Sequence, residues 1–165
     1  MTENINHGKW SEPGVPHNGW TCVDVEDLGA PNATCQMCEA RDIRFVHYMT
    51  HPGYKAELGV GAICAGHMEG NRQAAVDREQ QLKRTAGRRA RWLGRGWKKS
   101  AKGNPYLKAD GYIVTVFPSK WGGFDFSVKP EVGTKVVYSR RHYETADRAK
   151  LAAFDQLVRM NAGAI

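Results

Sequence analysis

Two short ligand pairs carry the clearest chemistry in the chain. Cys35 and Cys38 form a Cys-x-x-Cys pair, Cys64 and His67 form a Cys-x-x-His pair, and 25 residues lie between Cys38 and Cys64. Tetrahedral zinc takes sulfur and nitrogen donors of this kind. A two-residue gap lets a tight backbone knuckle turn both side chains of a pair towards one point. The metal would keep the thiolates deprotonated and contribute folding free energy, so one structural Zn2+ is expected. A redox Cys-x-x-Cys belongs with a βαβ pattern, and none surrounds this one. Twelve residues separate the remaining cysteine, Cys22, from Cys35. Cys22 is an alternative to His67 as fourth ligand, or a small buried core residue. The symmetric spacing favours Cys35, Cys38, Cys64 and His67.

A second kind of chemistry lies in the distribution of charge. The 165 residues carry 24 Lys+Arg against 17 Asp+Glu, a net +7. Residues 1–70 hold four basic and nine acidic side chains, residues 71–102 eleven and two, and residues 103–165 nine and six. So concentrated a basic block reads as a surface for a polyanion. Within it Lys83, Arg84, Arg88, Arg89, Arg91, Arg95, Lys98 and Lys99 would neutralise phosphates. Trp92 and Trp97 would stack on unpaired bases or anchor the segment to a core. Arg140 and Arg141 add cations farther along. Nothing here encodes a base sequence, so DNA and RNA both stand as partners.

The elements that must hold these groups can be read from patterning. Hydrophobic residues make up 41% of the chain, enough for a core. Four cysteines are too few for a disulfide scaffold. No apolar run approaches the roughly 18 residues of a membrane span, and the first residues lack the basic and apolar regions of a secretory signal. A cytoplasmic protein with reduced thiols is therefore expected. Residues 1–20, rich in Gly, Pro and Asn, read as an irregular lead-in, partly tethered by Trp10 and Trp20. Residues 42–49 read as a strand, Pro52-Gly53 as a turn and residues 58–63 as the returning strand. A helix is predicted from about residue 65 to residue 86, with Cys64 ending the returning strand and His67 in the first helical turn, which closes a first domain at 21–86. Gly87, Gly94 and Gly96 loosen the next segment into a basic linker over 87–105. Residues 106–165 read as a β-β-β-α domain. Its strands fall at 112–117, 124–128 and 134–139. Its helix is capped by Thr145 and has Ala149, Ala153 and Leu157 on one face. The expected class is α+β: a small zinc-binding domain, a basic helical linker, then a three-stranded antiparallel sheet packed on a C-terminal helix.

Knuckle, hairpin, then a helix bearing the second ligand pair at its start resembles the treble-clef zinc finger, over about residues 33–80. Treble clefs occur in nucleic-acid-binding proteins, protein-interaction modules and HNH nucleases, so the fold alone does not settle a function. Likeness to the zinc-stapled HNH nucleases would make His47 the general base and Asn71 the residue that holds the catalytic ion. Met68 and Arg44 stand where that family needs ligands, so the catalytic set is incomplete and an enzyme is not the leading expectation. Tyr143, Thr145, Ala149, Phe154 and Asp155 are similar to the strand-to-helix passage of the DNA-binding domain of ethylene-response factors and phage integrases. That resemblance implies a sheet presented to DNA. Together the resemblances imply a zinc-stabilised nucleic-acid-binding protein, of the kind that phages and mobile elements encode as accessory factors. A protein-binding adaptor, or an inhibitor of a host defence complex, is the rival reading.

Overall fold

The computed structural model describes residues 6–161 and divides into two compact units, Met1–Arg84 and Thr85–Ile165. The class is mixed α and β. No helix among the described residues is long and apolar enough to cross a membrane.

The first unit opens with a single 3-10 turn at Gly8–Ser11, followed by β1 (Thr21–Asp27), β2 (Ala33–Thr34), β3 (Asp42–Ile43), β4 (Phe45–His51) and β5 (Tyr54–Val60). Two helices complete it, α1 (Ala62–Glu69) and α2 (Arg72–Arg84). β1, β4 and β5 form an antiparallel sheet in that order, while β2 and β3 pair as a separate small hairpin. Trp10 and Trp20 tether the lead-in as expected, buried with Val15 in one cluster with Met49, Leu58 and Met68. β1 carries three carboxylates, two of them buried. Tyr48 Oη donates to Glu26 at 2.7 Å, and Arg44 engages Asp27 through Nε and Nη2 at 2.7 and 2.9 Å. That Asp27 contact pushes the Arg44 guanidinium pKa up. Gly70 ends α1 at φ +70, a left-handed position that glycine occupies without strain. Asn71 Oδ1 then accepts from the Ala74 N–H at 3.0 Å and starts α2.

The second unit begins with α3 (Ala86–Trp92), then β6 (Lys98–Lys99), β7 (Pro105–Ala109), β8 (Tyr112–Pro118), β9 (Phe124–Pro130), β10 (Val137–Tyr138) and α4 (Ala146–Asn161). The three expected strands are present, but the antiparallel sheet has five, in the order β10-β9-β8-β7-β6. Asp110 and Gly111, at φ +53 and +82, join β7 to β8. Two consecutive left-handed residues make the tight hairpin turn that Asp-Gly favours. Thr145 Oγ1 accepts from the Arg148 N–H at 3.1 Å and caps α4. The helix lays Ala149, Ala153, Phe154 and Leu157 against Val114, Val116, Phe126 and Val128 of the sheet. Residues 87–105 are not a linker. Trp92 is 1% exposed in this core and its ring centroid lies 5.1 Å from that of Phe154.

Candidate metal centre and basic face

The first site is built by the β2–β3 hairpin. Cys35 follows β2, its N–H donates to the Arg41 carbonyl at 2.8 Å, and the Glu39 N–H returns to the Cys35 carbonyl at 2.8 Å. Glu39 takes φ +57 to complete this knuckle. The Gln36 N–H donates to the Gly59 carbonyl at 2.9 Å, and the Gly59 N–H donates to Gln36 Oε1 at 2.7 Å. These two bonds fasten the knuckle to β5. Cys64 lies inside the first turn of α1 rather than at a strand end.

The ligand atoms of Cys35, Cys38 and Cys64 lie within 4.8 Å of one another, and all three residues are buried. Three sulfurs around one tetrahedral zinc at about 2.3 Å stand roughly 3.8 Å apart, so the cluster is of metal-binding size. None of the three is in a disulfide. The Cys64 thiol donates to Cys35, and with backbone N–H groups of Cys38, Gly61 and Met37 it brings the Cys35 pKa down to about 5 despite burial. Cys64, as the donor, is pushed up. Buried sulfurs thus share protons where a cation would replace them.

Two residues named from spacing lie outside this convergent group. His67 sits one turn beyond Cys64, half-buried, with its ring edge-on to Trp10 at 6.3 Å. Cys22 lies on β1, where its thiol donates to the Asp24 carbonyl at 3.3 Å and burial raises its pKa. Trp10 joins the site without any motif to announce it. Its indole N–H donates to Cys64 Sγ at 3.4 Å, and its ring meets His17 at 5.3 Å. Gly8 is pressed on the knuckle at φ +61, and a Cβ there would come within 2.7 Å of the Cys38 carbonyl carbon. The Lys9 N–H donates to the Met37 carbonyl at 2.7 Å, and Lys9 Nζ reaches Glu39 at 2.7 Å. The 3-10 turn is a cover over the cysteines.

His47 is fully buried. Its Nε2 faces Glu79 Oε1 at 3.1 Å, and its Nδ1 accepts from Arg78 Nε at 3.2 Å. A neutral ring with its proton on Nε2 satisfies both neighbours. Arg78 also forks onto Glu69 at 3.2 and 2.6 Å. Asn71 is occupied as the cap of α2. The two residues that the nuclease resemblance singled out are held by structural partners.

The second unit holds 16 basic and six acidic residues, against eight and eleven in the first. Arg89 is not a surface cation. It is 6% exposed and forks onto Asp155, itself 2% exposed, at 2.9 and 3.1 Å. Trp92 donates its indole N–H to the Lys150 carbonyl at 2.7 Å and offers no face for a base. Trp97 packs edge-on to Trp92 at 5.6 Å, half-buried, with Lys150 Nζ 4.9 Å from its ring centre. Arg88, Arg91, Arg95, Lys98 and Lys99 are exposed, as is Arg140, while Arg141 is half-buried. Arg88, Arg91, Trp92, Arg95 and Phe154 line a concavity of about 450 Å³. Arg95 also borders a second, of about 390 Å³, with Lys98, Tyr106 and Lys108. Lys83 and Arg84 are exposed at the end of α2 in the first unit, with Lys83 Nζ 5.4 Å from the Phe45 ring centre.

No family model, curated protein or solved structure matches the chain.

Proposed function

We propose that the chain is a zinc-stabilised nucleic-acid-binding protein whose first unit is a treble-clef-like scaffold and whose second unit supplies the phosphate contacts. The observation that carries the reading is the run of exposed cations from α3 to β6. There Arg91, Arg95, Lys98 and Lys99 are exposed in a unit with ten more basic than acidic residues. Cations so concentrated release the counterions of a polyanion and bind with strong salt dependence. Cys35, Cys38 and Cys64 would hold the zinc. His67, on the same helix as Cys64 and beside Trp10, is the proposed fourth ligand, since Cys22 is engaged elsewhere on β1. The metal neutralises the buried thiolates and ties knuckle to helix. Burial of His47 between Glu79 and Arg78 supports a binding role rather than strand cleavage.

Fluorescence anisotropy with labelled DNA and RNA oligonucleotides at about 50 and 200 mM salt tests this. The expected result is submicromolar binding at low salt that weakens by about a hundredfold or more at high salt. Absence of binding to both polymers at low salt sinks the reading.

A further inference from the structure

We infer that the Arg88, Arg91 and Arg95 concavity is a socket for a phosphomonoester at the end of a nucleic-acid strand. The inference rests on the nucleic-acid reading and narrows it. Arg88 and Arg91, three residues apart, lie on one side of α3, and Arg95 follows in the turn after the helix; all three line the concavity. The guanidinium carbon of Arg88 lies 5.5 Å from the Phe154 ring centre, and that of Arg95 lies 5.6 Å from the Trp92 ring centre. Both rings are buried, so they form an apolar floor that fixes the two guanidinium planes and keeps water from one side of them. An anion entering there meets forked N–H donors against a low-dielectric wall.

The charge count distinguishes a strand end from the strand interior. Arg88 Nη2 already engages Asp110 at 2.7 Å. Three guanidiniums less that one carboxylate leave two positive charges facing one concavity. A backbone phosphodiester brings one negative charge, whereas a phosphomonoester brings about 1.5 to 2 at pH 7. The carbonyl end of a helix ordinarily repels anions. Here the Trp92 carbonyl is blunted by the Arg95 N–H at 3.3 Å and the Trp97 indole N–H at 3.0 Å.

The test compares labelled single strands of one sequence ending in 5′-phosphate, 3′-phosphate or hydroxyl only, against the full chain at low salt. At least one phosphorylated end is expected to bind roughly tenfold tighter than the hydroxyl-only strand, the scale of a charged hydrogen-bond pair. The double variant Arg91→Gln with Arg95→Gln should lose that preference, while Lys98→Gln with Lys99→Gln should weaken all three strands alike. Equal binding of the three strands, or a preference that survives in the Arg91/Arg95 variant, overturns the socket and leaves the broader reading standing. If no strand binds, the broader reading fails. Inorganic phosphate, followed by tryptophan fluorescence, then decides the socket alone: quenching lost in the Arg91/Arg95 variant supports an anion site, and no quenching overturns it. A phosphoserine peptide that displaces inorganic phosphate where phosphorylated strands do not also overturns the assignment to a strand end.

Discussion

The Arg89–Asp155 pair offers the sharpest check on the physical reading of the second unit. A basic cluster invites the assumption that each of its cations meets phosphate, yet this one joins α3 to α4 inside the core. Removing one partner of a buried, forked ion pair leaves the other charge uncompensated and costs about 3–5 kcal/mol. A unit of about 80 residues holds roughly 4–12 kcal/mol in all. Asp155→Ala should therefore lower the unfolding midpoint by roughly 12 °C or more, on a scale of about 4–8 °C per kcal/mol for a domain of this size. Replacing both partners, Arg89→Met with Asp155→Leu, removes the stranded charge and should fall within about 2 kcal/mol of the parent. The assay is urea and thermal unfolding of Asp155→Ala and of the four-member cycle of parent, Arg89→Met, Asp155→Leu and their double variant. Amide exchange along α4 locates the loss in the second unit. A loss below about 1 kcal/mol for Asp155→Ala, or additive single and double variants, refutes the argument. Arg89→Gln that remains folded should keep its oligonucleotide affinity within about twofold, because its guanidinium is not presented to solvent.

The proposed metal centre leads to further expected outcomes. Metal analysis of purified protein should give one zinc per chain. Cys35→Ser and Cys64→Ser should lose it together with the fold of the first unit, whereas Cys22→Ser should retain it. His67→Ala, which removes the proposed fourth ligand, should lower zinc affinity by about tenfold or more in a chelator competition, since even an outer-shell partner of a metal site is worth about that much. Zinc affinity should fall as pH falls, because protons compete for the sulfurs. Cys35, at about 5, binds its proton only in acid, whereas the raised Cys64 thiol must give up a proton to the solvent when metal enters. A titration in weakly buffered solution should therefore record proton release at pH 7. Gly8→Ala should destabilise the first unit by about 1–3 kcal/mol, since a Cβ at a left-handed position meets the knuckle backbone. Thermal unfolding beside a Gly14→Ala control, where a Cβ meets nothing within 4 Å, isolates the collision from the shared backbone cost.

The features legible from residue order have a common character. β8, β9 and α4 can be read because alternation, a threonine cap and an alanine face are local signals. The three-cysteine cluster is legible from spacing alone. β1 is not, because Asp24, Glu26 and Asp27 look like a solvated stretch. The partners of Glu26 and Asp27, Tyr48 and Arg44, lie 22 and 17 residues away, and no local pattern shows them. The glycines at 87, 94 and 96 suggest a linker, and residue order leaves Trp92 between base stacking and a core anchor; its packing against Phe154 decides for the anchor. Trp10 and Gly8 carry no motif of the site, since covering the cysteine cluster demands shape rather than spacing.

The cover over the cysteines also sets an order of events during synthesis. Trp10 precedes its sulfur partner Cys64 by 54 residues. At about 5–20 residues per second, the indole leaves the ribosome roughly 3–11 s before its seat exists. The knuckle, the β4–β5 hairpin and α1 must all emerge before the first 3-10 turn can dock. Closure of the first unit is thus a late, non-local step, and the cysteines stay open to solvent until the indole settles over them.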